Sequence, residues 1–218
     1  MVTEAKLLKQ YHKLCPSFNN ILFKFKSHFI DYDHIAVRTF NMTQMHNLFV
    51  KNYTLEKQKF HYPDFNISAT WYSNKQKVIP RVILSTYLHP IFDKNLEPEL
   101  NALITYHINH PNDRISYDIY NHIYKKNQYL AWSLLFRENV SNVAIRVNSC
   151  EKIFEQIQKK YNTTPITFSK DKRLLQFTIS PDKVYYQFDE GTYEVPASFV
   201  KFVERKVNPV TKETREGF

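Results

Sequence analysis

Residues 33–38 read Asp-His-Ile-Ala-Val-Arg, and residues 141–146 read Ser-Asn-Val-Ala-Ile-Arg. Both follow one pattern: polar, polar, aliphatic, Ala, aliphatic, Arg. A two-residue alternation of this kind is the signature of a β-strand. It puts His34, Ala36 and Arg38 on one face, with Ile35 and Val37 on the other. The second copy does the same with Asn142, Ala144 and Arg146. Each copy is followed by a helical pattern, over 43–51 and 150–160. In the second of these, Ile153, Phe154 and Ile157 form an apolar stripe. Strand candidates come next, at 54–60, 67–73 and 79–87 in the first half. In the second half they lie at 164–168, 173–179, 183–188 and finally 199–205. Asp189-Glu190-Gly191, Pro181 and Pro196 supply turns.

The chain therefore reads as an α+β protein, a single domain of two β-α-β-β-β-like modules around a shared cleft. A leading helical segment occupies 1–30 and the first module 31–95. A helical insert follows over 96–138, broken near Pro111-Asn112-Asp113, and the second module covers 139–218. Two open sheets of this type are expected to lie side by side. If a pseudo-twofold axis relates them, the polar faces of 33–38 and 141–146 converge on the cleft. A small Ala between two polar residues in each copy leaves room there for a ligand.

Composition limits the chemistry. Of 218 residues 43% are hydrophobic and 16% aromatic, which supports a sizeable core. Only two are glycine, Gly191 and Gly217, where average usage gives roughly 15. Dinucleotide-binding G-x-G-x-x-G turns, phosphate loops and G-x-S-x-G nucleophile elbows are all excluded. Ligand binding falls to side chains, and Asn and Asp are expected to take the turn positions that need positive φ. Cys15 and Cys150 match no zinc or redox spacing and read as reduced thiols. With no signal-type or 18-residue apolar run, the expectation is an intracellular, cytoplasmic protein with no membrane partner. A net charge of +9 admits nucleic acid or a protein partner on a basic surface. Phe23-Lys24-Phe25-Lys26 and the cluster Lys170, Lys172, Arg173 are the local candidates. The charge is spread along the chain rather than blocked, and alternating Phe and Lys also fits an ordinary half-buried segment.

DHIAVRTFN at 33–41, with IPRVILSTYL at 79–88, resembles the 2-oxoadipate dioxygenase/decarboxylase family. This family is also called hydroxyglutarate synthase and belongs to the vicinal oxygen chelate superfamily. The resemblance continues through Tyr129-Leu-Ala-Trp132, SNVAIRVN, FDEGTYEVPASFVKFVER and REGF, in the same order over about 31–218. It implies a vicinal oxygen chelate fold and an iron(II) enzyme acting on a 2-oxo acid, its metal held by two histidines and a glutamate. It also implies that His34 matches the first metal histidine and Arg38 a substrate-binding arginine. At the second histidine this chain has Asn142, and at the glutamate it has Lys201. Glu204, three residues on, falls on the opposite strand face. An ammonium beside a ferrous ion is electrostatically unfavourable.

The leading expectation is thus a catalytically degenerate relative with no catalytic residue and no cofactor. His34 remains as a vestigial metal ligand. Arg38, Arg146, Lys201, Asn142 and Ser85 would hold a small anionic oxo acid or dicarboxylate without turnover. Two other readings stay open. One is an active metal-dependent 2-oxo acid dioxygenase/decarboxylase with shifted ligands, drawn from His28, His46, His61, His89, His107, His110, His122 or Glu194. The other is a non-enzymatic binding or scaffold protein that uses its basic surface.

Overall fold

The computed structural model describes residues 4–26, 29–63, 66–74, 76, 78–88, 96–147, 156–157, 159–161, 166–167 and 173–213. Helices α1 (Glu4–Leu14) and α2 (Phe18–Lys24) lead into strand β1 (Phe29–Thr39). The first module continues with α3 (Met42–Phe49), β2 (Thr54–Tyr62), β3 (Ile67–Ser73) and β4 (Arg81–Tyr87). The insert forms α4 (Pro98–Asn109), α5 (Tyr117–Lys126) and α6 (Gln128–Phe136). The second module contributes β5 (Val140–Val147), β6 (Ile166–Thr167) and β7 (Leu174–Thr178), then β8 (Lys183–Gln187), β9 (Thr192–Pro196) and β10 (Phe199–Arg205). Most of the helical pattern at 150–160 lies outside the described residues, as do Lys170, Lys172 and Gly217.

The two modules share one sheet. Its eight strands run β2-β3-β4-β1-β5-β10-β7-β6, curled so that one face is concave. The expected side-by-side sheets are in fact fused through an antiparallel β1–β5 pair at the centre. On either side of that pair the pattern repeats: β4 runs parallel to β1, and β10 runs parallel to β5. An unanticipated strand, β9, pairs with β8 as a separate hairpin. Pro196 ends that strand, and Gly191 (φ +151°) turns the hairpin with its carbonyl accepting from Phe188 N at 2.8 Å. Asn66 takes positive φ as expected of Asn, but Glu138 and Lys212 do so as well.

Alternation decides what each sheet face meets. Ile35, Val37, Val82, Leu84, Val143, Ile145, Val200 and Phe202 share the convex face and are almost wholly buried. Leu7 and Tyr11 of α1 and Cys15 just after it, spaced i, i+4 and i+8, pack on this layer, as do Phe18 and Ile21 of α2 and Met45 and Phe49 of α3. Burying side chains of this kind stabilises the fold by about 1.5–3 kcal/mol each, so this layer fixes the register of the concave face. Tyr11 ties α1 to the second module by donating its hydroxyl to Phe199 O at 2.8 Å.

The insert builds a second core. Every residue from Leu130 to Phe136 of α6 is buried, between the β8–β9 hairpin and α4 and α5. Asn127 starts α6 by accepting from Leu130 N, while its own N–H caps α5 on Ile123 O. Tyr129 of α6 carries the insert to the edge of the concave-face cleft. Phe23-Lys24-Phe25-Lys26 is not a strand: α2 ends in it, Phe25 is core and Phe23 is exposed.

Candidate functional site

The concave face holds a cleft of about 280 Å³. Strand register shows how its walls are assembled. Arg38 pairs with Ser85 on β4, and Ser85 with Ala69 on β3. Ala36 lies opposite Asn142, which pairs with Phe199 on β10. His34 lies opposite Ala144, which pairs with Lys201. His34, Ala36, Arg38 and Asn142, which alternation puts on the cleft-facing sides of their strands, line the cleft, and so do Ser85 and Lys201. Phe60, Ile67, Ala69 and Ile83 give it an apolar side, and Tyr129 comes down from α6.

Arg146 is placed differently. It shares the strand face of Asn142 but lies beyond the cleft, with its guanidinium 3.7 Å from Asp31. The concave surface between is filled by Trp71, Ala144, Leu174 and Val203. Ala144 is therefore covered rather than open, and only Ala36 of the two small residues faces the cavity. Glu204 is on the face opposite Lys201, since β10 and β7 pair without a register shift.

Arg38 is held by four contacts. Its guanidinium lies 4.4 Å from the Tyr129 ring centroid and 4.7 Å from that of Trp132, a cation–π clamp. Its backbone N–H donates to Asn139 O, and its carbonyl accepts from Glu138 N at 2.8 Å. The positive φ of Glu138 thus lets the chain turn from α6 into β5 alongside β1. Burial lowers the pKa of Arg38 to about 10, so it stays charged at neutral pH. Tyr129 donates to Ser85 Oγ at 2.9 Å, and Ser85 donates onward to Val37 O at 3.3 Å. On the far side of Arg38 a second cavity of about 310 Å³ is lined by Tyr120, Tyr124, Trp132 and Pro181, and it shares Arg38, Tyr129 and Phe199 with the cleft.

The lower end is organised by a residue that alternation alone places on the wrong face. A register irregularity between Tyr32 and His34 brings Asp33 to the His34 side. Asp33, fully buried, accepts from His34 Nδ1 at 2.7 Å and from Arg205 Nη2 at 3.0 Å, with Arg81 Nη1 at 3.7 Å. Burial would raise the Asp33 carboxyl, but the His34 and Arg205 hydrogen bonds hold it well below the usual carboxylate range. Burial drives His34 down to about 4, against the pull of Asp33. A neutral imidazole donating through Nδ1 carries its lone pair on Nε2.

Lys201 stands where this row meets the cleft. Desolvation, with Arg38 adding repulsion, lowers its pKa to about 8. Its Nζ is 5.8 Å from the Phe199 ring centroid. Asn142 is pinned: its amide nitrogen donates to Ser141 Oγ at 3.1 Å, and Ser141 donates to Ala36 O. That leaves Asn142 Oδ1 buried with no hydrogen-bond partner among the described residues, and Gln176 Oε1, also on the cleft wall, is in the same state.

Among the described residues that line this cleft, Arg38 and Lys201 are cations and none is a carboxylate. The donor set does not fit ferrous iron, because one imidazole and one amide oxygen face an ammonium rather than a carboxylate. Nor do the described residues rebuild a site elsewhere, since they contain no group of three or more His, Cys, Asp or Glu able to hold a metal. His46 is paired with Tyr72 OH at 2.8 Å, and exposed Glu194 with Lys183 at 2.9 Å. His28 and His89 lie outside the described residues. No described helix is long and apolar enough to cross a membrane.

No protein-family model matches the chain, and no curated protein matches its sequence. Solved structures do match its fold. The hydroxyglutarate synthase of Oryza sativa, solved in complex with 2-oxoadipate, superposes with a TM-score of 0.81 at 21% identity, over 97% of this chain and 85% of that one. A Shewanella frigidimarina protein with a provisional hydrolase assignment gives 0.79 at 20% identity, over 98% of this chain and 95% of that one. A Ralstonia eutropha protein provisionally assigned to the glyoxalase superfamily gives 0.70 at 14%, over 97% and 83%. With two fused β-α-β-β-β-like modules and a cleft on their common sheet, the chain has the vicinal oxygen chelate fold.

Proposed function

We propose that this protein is a metal-independent relative of the hydroxyglutarate synthases that binds a small anionic 2-oxo acid or dicarboxylate without oxidative turnover. One observation carries the reading: the cleft is lined by Arg38 and Lys201 and by no described carboxylate. In a cavity with apolar walls, two cations attract a dianion far more strongly than they would in water. Arg38, flattened between Tyr129 and Trp132, offers the planar fork that suits a carboxylate. Lys201 supplies positive charge where the family resemblance implies a metal ligand. The Oryza sativa enzyme was solved with 2-oxoadipate, which makes that compound the first ligand to test. Calorimetric titration with 2-oxoadipate and 2-oxoglutarate should give saturable heat that is lost in Arg38→Ala. Absence of heat with both acids would overturn the reading.

A further inference from the structure

Resting on the anion-binding reading, we propose that Lys201 captures a 2-oxo dicarboxylic acid covalently, as an imine at its C2 carbonyl, while Arg38 holds the distal carboxylate. The argument starts from the two orphaned acceptors. Asn142 is buried, and its amide is fixed by the Asn142–Ser141–Ala36 chain of hydrogen bonds, so Oδ1 cannot turn away. Gln176 Oε1 is buried on the same wall. Both need donors, and a buried acceptor left unmet is unfavourable. A fully ionised dicarboxylate has only acceptors to offer. Imine formation creates the missing donors beside Asn142: an N–H and an O–H in the carbinolamine, then the N–H of the protonated imine.

The surroundings of Lys201 suit that chemistry. A lysine among apolar walls and close to a second cation is the usual arrangement for an amine that attacks carbonyls. Phe199 and Ile83 supply the walls and Arg38 the second cation. The step balances without any further reagent. The Nζ lone pair forms a bond to C2, and the carbonyl π pair moves to oxygen, which takes the proton released from Nζ. The hydroxyl then takes the proton that the ammonium gave up to become the attacking amine, the C–O bond breaks with loss of water, and the nitrogen pair closes the C=N bond. The protonated imine keeps the positive charge of Lys201 facing the substrate's C1 carboxylate, so the electrostatic match survives.

The test is reductive trapping. The protein is incubated with 2-oxoglutarate or 2-oxoadipate and cyanoborohydride, then digested and mapped by mass spectrometry. The expected result is one adduct on Lys201, with labelling at least tenfold above that of any other lysine. Pyruvate, which lacks the distal carboxylate, should label Lys201 at least tenfold less. Glutarate, which lacks the carbonyl, should compete but leave no adduct, and calorimetry should show it at least tenfold weaker than 2-oxoglutarate. Equal binding of glutarate and 2-oxoglutarate with no adduct on Lys201 would overturn the imine while leaving anion binding intact. Labelling spread over surface lysines would overturn it too. No binding of any acid would overturn both.

Discussion

Lys201→Met should stabilise this protein at neutral pH, and the gain should vanish in alkali. In the native state burial and Arg38 lower the Lys201 pKa from 10.5 to about 8. At ~1.4 kcal/mol per pH unit, that fall corresponds to about 3 kcal/mol of unfavourable free energy for holding the ammonium in the cleft. Below pH 8 the side chain is charged in both states and the whole penalty applies. Between pH 8 and 10.5 the native state sheds the proton while the unfolded chain keeps it, so the wild type gains stability through that window. Above 10.5 both states are neutral and the penalty is gone. Methionine has nearly the same reach and no charge. Urea denaturation of both proteins at a series of pH values isolates the difference, since contributions from the many tyrosines cancel between them. The variant should be the more stable by about 1–3 kcal/mol at pH 7, converging with wild type by about pH 10.5. A variant that is equal or less stable at pH 7 would show that Lys201 is not held at an electrostatic cost, and the reasoning would fail.

Acid should weaken the fold through His34, which shares a register row with Lys201. Burial lowers His34 to about 4, so its stabilising neutral form is lost as pH falls from 6.5 through 4, by up to about 3 kcal/mol; denaturation of His34→Gln should show a flatter profile there. Asp33→Asn leaves Arg205, with Arg81 nearby, facing a neutral amide in a buried site, and thermal or urea unfolding should register a loss of about 3–5 kcal/mol. Replacing Asn142 by His and Lys201 by Glu together should create a divalent-metal site with His34. Cobalt(II) titration should then show tetrahedral or five-coordinate absorption bands that the wild type lacks.

Much of this architecture is visible in the chain itself. The paired patterns at 33–38 and 141–146 locate the two strands that fuse the modules, because alternation assigns faces without knowledge of partners. The same rule places His34, Arg38 and Asn142 around one cavity and sends Glu204 to the face opposite Lys201, whose own place at the cavity was implied by the family resemblance. It misleads at two points. Asp33 belongs with His34 only because of the irregularity after Tyr32, and a one-residue slip leaves no mark in composition. Arg146 follows the alternation correctly, yet sits too far along its strand, where Asp31 meets it. Arg205 was readable, four residues beyond Lys201 on the same face, whereas its pairing with Asp33 across 172 positions was not. Tyr129 looks like one more aromatic in an apolar helix, and only tertiary packing turns it onto Arg38 and Ser85. Strand β9 was hidden behind turn residues, since Gly191 and Pro196 bound it so tightly.

The central claim is that positive side chains, rather than a metal, receive the ligand in this cleft. Its most direct test is the affinity for 2-oxoadipate, measured by calorimetry once in excess chelator and once under anaerobic conditions with saturating iron(II). Equal dissociation constants in the two titrations are the predicted result. Binding that emerges only with iron would contradict the account.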